Sequence, residues 1–266
     1  MSAENARNKG LFLIIDHGNM KGLMHWCDEL KKREIPAVIQ TNEWMLDENC
    51  AFIRRLSEKG FEICGAYNEK PFWCQSFNFQ LEAMHRIKNK IEVCTGEPMR
   101  IFGSKYSAYN EDTLRAAELL GIGHIFARGA IGAKAVIYKP VEYDVTIISV
   151  SNVPSKEMGT GSLCDQSLWC RGITPDGFRQ ILLDLTVDRF ILVAQTHLSG
   201  VKLHWWNAYQ DFFEARPVHW ESLNEFSCNP LVLPNANIPM NTEMKYETPQ
   251  PKIPLEQEPD YPFAKG

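Results

Sequence analysis

Asp16 and His17, an adjacent carboxylate and imidazole followed at once by Gly18, are the pair of residues best suited to chemistry. A carboxylate can take a proton from water, and an imidazole can bind a divalent metal or move a proton near neutral pH. The plainer reading makes Asp16 a helix cap at a strand-to-helix turn. Aromatic side chains supply a second kind of chemistry. Trp205-Trp206 with Tyr209, and Trp169 further upstream, have the flat faces on which sugar rings stack. Against this, aromatics at helical spacing ordinarily build a core.

The element that must hold Asp16 and His17 is the run Leu11-Phe12-Leu13-Ile14-Ile15. Five large apolar residues in succession read as a strand covered on both faces, as in a parallel sheet. Such sheets place their chemistry at the carboxyl ends of the strands, where Asp16 and His17 stand. A hydrophobic content of 44% and a charged content of 23% are those of a globular chain with a sizeable core. The net charge of −5 gives no electrostatic reason to expect a nucleic acid, and no Lys/Arg cluster suggests an anionic membrane. No run of about 18 apolar residues exists to span a bilayer. Residues 1–10 do not resemble a signal peptide, so the expected location is cytoplasmic and the eight cysteines are expected as reduced thiols, mostly small core residues.

Strand and helix signals alternate along the chain. Met20 to Glu34 carries one broad apolar helical face, and Pro36 stops it before the strand Ala37–Thr41. Cys50 to Lys59 is a helix ended by Gly60, and Phe61–Gly65 a strand. The helix from Gln80 to Val93 precedes the strand Arg100–Gly103. Asn110 caps a helix over Glu111–Leu120, which leads to the strand His124–Ala127. Two further β-like runs fall within residues 134–152, and 153–172 reads as a long loop. A helix opened by Thr174-Pro175 leads into Phe190–Ala194, the last buried strand, which ends in Gln195-Thr196-His197. From Asn229 onward eight of the 15 prolines appear, predicting an extended tail that docks back through Leu231, Leu233, Tyr261 and Phe263. The expected division is a domain over 1–228 and a Pro-rich tail over 229–266, with an α/β fold of mainly parallel strands.

Several segments together resemble one family. They are the strand ending in Asp16-His17-Gly18, then Ile35-Pro36-Ala37, then Leu56–Ile63, then Thr95-Gly96-Glu97-Pro98, Phe102 and Tyr106, and the run from Tyr109 to Gly121. Their order and spacing over residues 11–200 are similar to those of the NodB-homology polysaccharide deacetylases, carbohydrate esterase family 4. The resemblance implies a distorted (β/α) barrel whose carboxyl face binds a divalent metal. It also implies that a metal-bound water attacks an N-acyl group, with an aspartate as base and a late-strand histidine as acid. Those roles fall on Asp16 and His197, and the metal-ligand position that follows the base falls on His17. The two histidines of the second motif fall on Ala66 and Lys70, neither a ligand. The third motif reads Gly103-Ser104-Lys105-Tyr106, without its arginine.

A catalytic zinc ordinarily needs three protein ligands and an open position. Either a divalent ion (zinc, iron or manganese) sits in a rebuilt site that includes His17, or no metal is used. In a metal-free site Lys105 or Lys70 offers a partial oxyanion partner. Tyr106, Lys105 and Trp205 are the candidate substrate contacts. The resemblance implies a hydrolase removing an acetyl or formyl group from an amino sugar. The expected cytoplasmic location points to nucleotide-linked or lipid-linked saccharides in surface-polysaccharide or O-antigen assembly. A different class of reading is a catalytically degenerate member that binds a carbohydrate or a protein. A third is another amide hydrolase on the same scaffold.

Overall fold

The computed structural model describes residues 8–16, 18–129, 134–153, 161–239 and 254–263. One mixed, curled sheet runs through it. Strand β1 (Asn8–Ile15) lies between β2 (Ala37–Asn42) and β8 (Arg189–Gln195), parallel to both. Beyond β2 follow β3 (Glu62–Tyr67), β4 (Ile101–Ser104), β5 (His124–Arg128) and β7 (Thr146–Val150), each parallel to its neighbour. The short strand β6 (Ile137–Pro140) is antiparallel to β7. Beside it lies β10 (Leu231–Leu233), so the Pro-rich tail begins by adding a strand rather than as unstructured chain. A further strand, β9 (Val218–Trp220), pairs with the start of β1.

The apolar run of β1 is buried on both faces, as its composition requires. Leu11 and Leu13 face the concave side, with Val38, Phe126, Ile148, Ile191 and Val193. Phe12 and Ile14 face the helices. There Phe12 meets the rings of Trp26, Tyr209, Phe213 and Trp220 at centroid distances of 5.1–6.2 Å. Truncating such a side chain to alanine costs about 3–5 kcal/mol.

The helices of this outer layer are α1 (Met20–Lys32), α2 (Glu43–Glu58), α3 (Phe77–Thr95), α4 (Glu111–Leu119), α6 (Pro175–Leu183) and α7 (Leu203–Ala215), whereas the short α8 (Leu223–Phe226) packs Leu223 and Phe226 with Leu11 and Leu13 on the concave side. Local chemistry sets their starts. Asn19 accepts from the Gly22 amide, and Asn110 and Thr113 form a reciprocal capping box on α4. The expected long loop contains a helix of its own, α5 (Asp165–Trp169). The stretch before it closes the gap between β7 and β8. The Leu163 amide donates to the Ser151 carbonyl, the Val193 amide to the Leu163 carbonyl, and the Ile191 amide to Ser151 Oγ at 2.9 Å.

Two cysteines depart from the reduced-thiol expectation: Cys50 of α2 and Cys94 of α3 form a disulfide. Their helices pack side by side, which brings the two Cα atoms to 5.2 Å. Among the described residues no helix is long and apolar enough to cross a membrane.

Candidate active site at the carboxyl ends of β1 and β8

Register brings Asp16 beside the residue that precedes His197. Ile15 lies opposite Gln195, so Asp16 leaves β1 beside Thr196, the neighbour of His197. Thr196 Oγ1 donates to Asp16 Oδ1 at 3.0 Å, and the Gly18 amide donates to the same oxygen at 3.0 Å. Asp16 therefore does cap the turn, while standing fully buried at the end of the barrel where chemistry belongs.

Two glycines make this closeness possible. A Cβ on Gly22 would lie 1.8 Å from the Thr196 carbonyl oxygen, and one on Gly200 would lie 2.4 Å from it. The first turn of α1 and the turn after β8 thus meet backbone to backbone around the residue that holds Asp16.

His197 is half-buried, with Nε2 2.9 Å from Gln166 Oε1 on α5. The preceding residue, Asp165, is fully buried and accepts from the Gln166, Gln195 and Ser199 amides and from the Ser199 hydroxyl. Burial pushes its carboxyl up to about 6, against the lowering effect of those donors.

The remaining expectations fare differently. Ala66 and Lys70 lie where the resemblance would put two metal-binding imidazoles. Ala66 is buried and offers only a methyl group, and Lys70 is an exposed cation. Next to Ala66 in register is Gly103, and Gln40 Nε2 fills the space that a Cβ there would take, 2.8 Å away. An amide thus lies over this corner of the rim. Among the described residues no three His, Cys, Asp or Glu side chains converge as a ligand set. His17 lies outside the described residues. Among the described residues, the side chains at Ala66 and Lys70 do not fit a divalent metal held by two motif histidines.

Lys105 and Tyr106 stand at the exit of β4, separated from Asp16 by β2 and β3. Tyr106 is exposed and Lys105 Nζ lies 5.3 Å from its ring centroid, while Nζ donates to the Glu69 carbonyl. Tyr106 and Ser107 both adopt positive φ, 65° and 52°. Two strained non-glycine residues in succession are costly and mark a turn whose shape the surroundings fix.

Trp205 is a correction. It is fully buried, its ring 5.6 Å from that of Phe178, and it serves the core under α6 and α7 rather than a sugar.

Two groups on this rim lay outside the sequence-based expectations. Arg128, nine-tenths buried, ends β5 on the same face as Phe126, and Gln166 holds His197. Arg128 was legible as the cation directly after the expected strand His124–Ala127. Gln166 had no signal in a Ser/Gly/Cys-rich stretch.

The sequence profile described as polysaccharide deacetylase matches residues 3–125. Among curated proteins no sequence matches the chain. Solved structures share its fold at low identity. A protein described as a polysaccharide deacetylase from Mycobacterium smegmatis superposes with a TM-score of 0.67 at 12% identity, over 85% of this chain and 91% of that one. A CE4-family pseudoenzyme from Bacillus anthracis gives 0.57 at 14%, over 86% and 68%. An allantoinase gives 0.63 at 13%, over 84% and 89%. Residues 3–125 thus match the polysaccharide deacetylase profile, and the chain as a whole shares the fold of solved structures described as polysaccharide deacetylases.

Proposed function

We propose that this protein is a carbohydrate-directed hydrolase that removes an acetyl or formyl group from an N-acylated amino sugar. The observation that supports this reading is that Asp16 and the turn carrying His197 leave adjacent strands side by side, Asp16 being held by Thr196 next to that histidine in the chain. In this reading the Asp16 carboxylate takes a proton from water as the water oxygen bonds to the acyl carbon. The carbon–nitrogen bond then breaks, and the proton on His197 passes to the leaving nitrogen. The products are a free amine and a carboxylic acid, and Asp16 returns its proton to restore the pair. Proton transfer of this kind contributes about 10²–10⁴-fold. Nucleotide-linked or lipid-linked saccharides of surface-polysaccharide or O-antigen assembly, met in the cytoplasm, are the proposed substrates.

A second reading is favoured by the side chains at Ala66 and Lys70. They leave the family's metal chemistry without two of its ligands, and a fold-mate from Bacillus anthracis is itself described as a pseudoenzyme. Under that reading the barrel binds a carbohydrate without turning it over.

One experiment separates the two. Acetate and formate release is measured from N-acetyl and N-formyl hexosamines, free and nucleotide-linked, alongside calorimetric binding of the same sugars. The hydrolase reading expects release that falls at least about 100-fold in Asp16→Asn and in His197→Gln. Binding without release, undiminished in Asp16→Asn, establishes the second reading. Neither binding nor release rejects both.

A further inference from the structure

Two consecutive residues of α5 converge on His197 from different directions. Asp165 takes both sides of the turn that carries it: Oδ2 accepts from the Gln195 amide at 3.1 Å, from the Ser199 amide at 3.2 Å and from the Ser199 hydroxyl. Its other oxygen accepts from the Gln166 amide at 2.7 Å, which ties the helix start to the same carboxylate. Gln166 then reaches the ring. Its Oε1 lies 2.9 Å from His197 Nε2, and its Nε2 donates to Cys170 Sγ, one helical turn on, at 3.1 Å. The nearby thiols of Cys164 and Cys170 are both pushed up by burial and stay protonated at neutral pH. Cys170 therefore does not draw the ring proton by charge. With Oε1 turned to the ring, the imidazole nitrogen facing it must carry a hydrogen.

We propose that Asp165 and Gln166 are positioning residues for His197, Asp165 fixing the backbone turn and Gln166 fixing the ring with a proton on Nε2. The role in turnover rests on the hydrolase reading above, whereas the geometry does not. An amide accepts the Nε2 hydrogen as a carboxylate would, but adds no negative charge to stabilise the imidazolium. His197 is thereby oriented without being driven into its charged form. A ring that must lose a proton in each cycle, and recover it, gains from such a neutral partner.

The test uses full-length protein labelled with ¹⁵N in histidine, read by nitrogen chemical shifts across pH. The neutral ring of His197 is expected as the Nε2–H tautomer. Gln166→Glu, which keeps the acceptor and adds a charge, is expected to raise proton affinity about tenfold, a shift of about one pH unit. Gln166→Leu, which removes the acceptor, is expected to lower the share of the Nε2–H tautomer. Asp165→Asn is expected to speed hydrogen exchange at the Gln195 and Ser199 amides by about tenfold relative to distant strands. An Nδ1–H tautomer in the unaltered protein overturns the role of Gln166. So does a midpoint moved by less than about 0.2 units in Gln166→Glu. Unchanged exchange in Asp165→Asn overturns the role of Asp165. Should the signatures appear while no sugar is hydrolysed, the hydrolase reading fails and the positioning stands. The reverse result rejects the positioning alone.

Discussion

Thr196 is the residue on which the pairing of Asp16 with the end of β8 depends. Its hydroxyl donates to a carboxylate that is fully buried, where losing one donor leaves an anion short of compensation. Thr196→Val keeps the shape and removes only the donor. It is expected to destabilise the fold by about 1–3 kcal/mol, measured by urea unfolding, while Asp16→Asn/Thr196→Val costs less than the two changes summed. Additive losses would show that the two side chains act independently. Asp16 itself was legible because five apolar residues stop abruptly at it. Its partner was not, since β1 and β8 are 180 positions apart at this contact and only register reveals Thr196. Trp205 was misread for a related reason. With Trp205, Trp206, Ala208, Tyr209 and Phe212 all buried, α7 is apolar around much of its circumference, and spacing alone does not say which rings meet solvent.

At the scale of elements, the close approach of α1 to the turn after β8 is set by glycine. Gly22→Ala would push a methyl to 1.8 Å from a carbonyl oxygen that belongs to rigid backbone, so α1 or the turn must shift. Because that turn carries His197, the change is expected to cost at least about 2 kcal/mol, visible in urea unfolding, and to cut sugar affinity. An unaltered affinity would show that the turn moves without consequence. The disulfide between α2 and α3 is a second device of this kind. It closes a loop with a sequence separation of 44, for which chain entropy allows up to about 4 kcal/mol. Cys50→Ser is expected to lower the thermal midpoint, and reductant to do the same to the unaltered protein and not to the variant. The bridge and the proposed cytoplasmic location make opposite demands, since reducing compartments disfavour such bonds. A thiol count on protein taken directly from its native cells decides between them. The strand–helix alternation was readable because each element is periodic or continuously apolar. The five-residue helix α5 was not, being too short to show a period.

For the molecule as a whole, two buried groups on opposite sides of the end of β8 oppose each other in acid. His25 on α1 is packed against Trp206 and against Tyr261 and Phe263 of the tail, with ring centroids 4.2–5.7 Å away. Residues 254–263 are held there by Lys202 Nζ to Asp260 at 2.7 Å and by the Leu203 amide to the Pro259 carbonyl, so the tail closes over the histidine. Burial lowers the His25 pKa to about 4. Between its ordinary value of about 6.5 and 4 the unfolded chain binds a proton that the folded chain refuses, so stability falls as pH drops. Asp165 behaves in the opposite sense. Its folded pKa is about 6 against an ordinary value near 3.8, so over that interval the folded chain holds a proton the unfolded chain lacks. Stability therefore rises as pH drops through the same window. Each effect is at most about 3 kcal/mol, and the two nearly cancel between pH 6 and 4. Asp165→Asn is expected to remove one side of the balance and give a protein that loses stability steeply below pH 6. His25→Leu is expected to remove the other and give one whose stability holds or grows toward pH 4. Urea midpoints at pH 7, 6, 5 and 4 read all three proteins. Parallel pH profiles would show that neither group titrates with folding in this window, whereas divergence in opposite directions would establish that the tail and the turn behind His197 are balanced against each other.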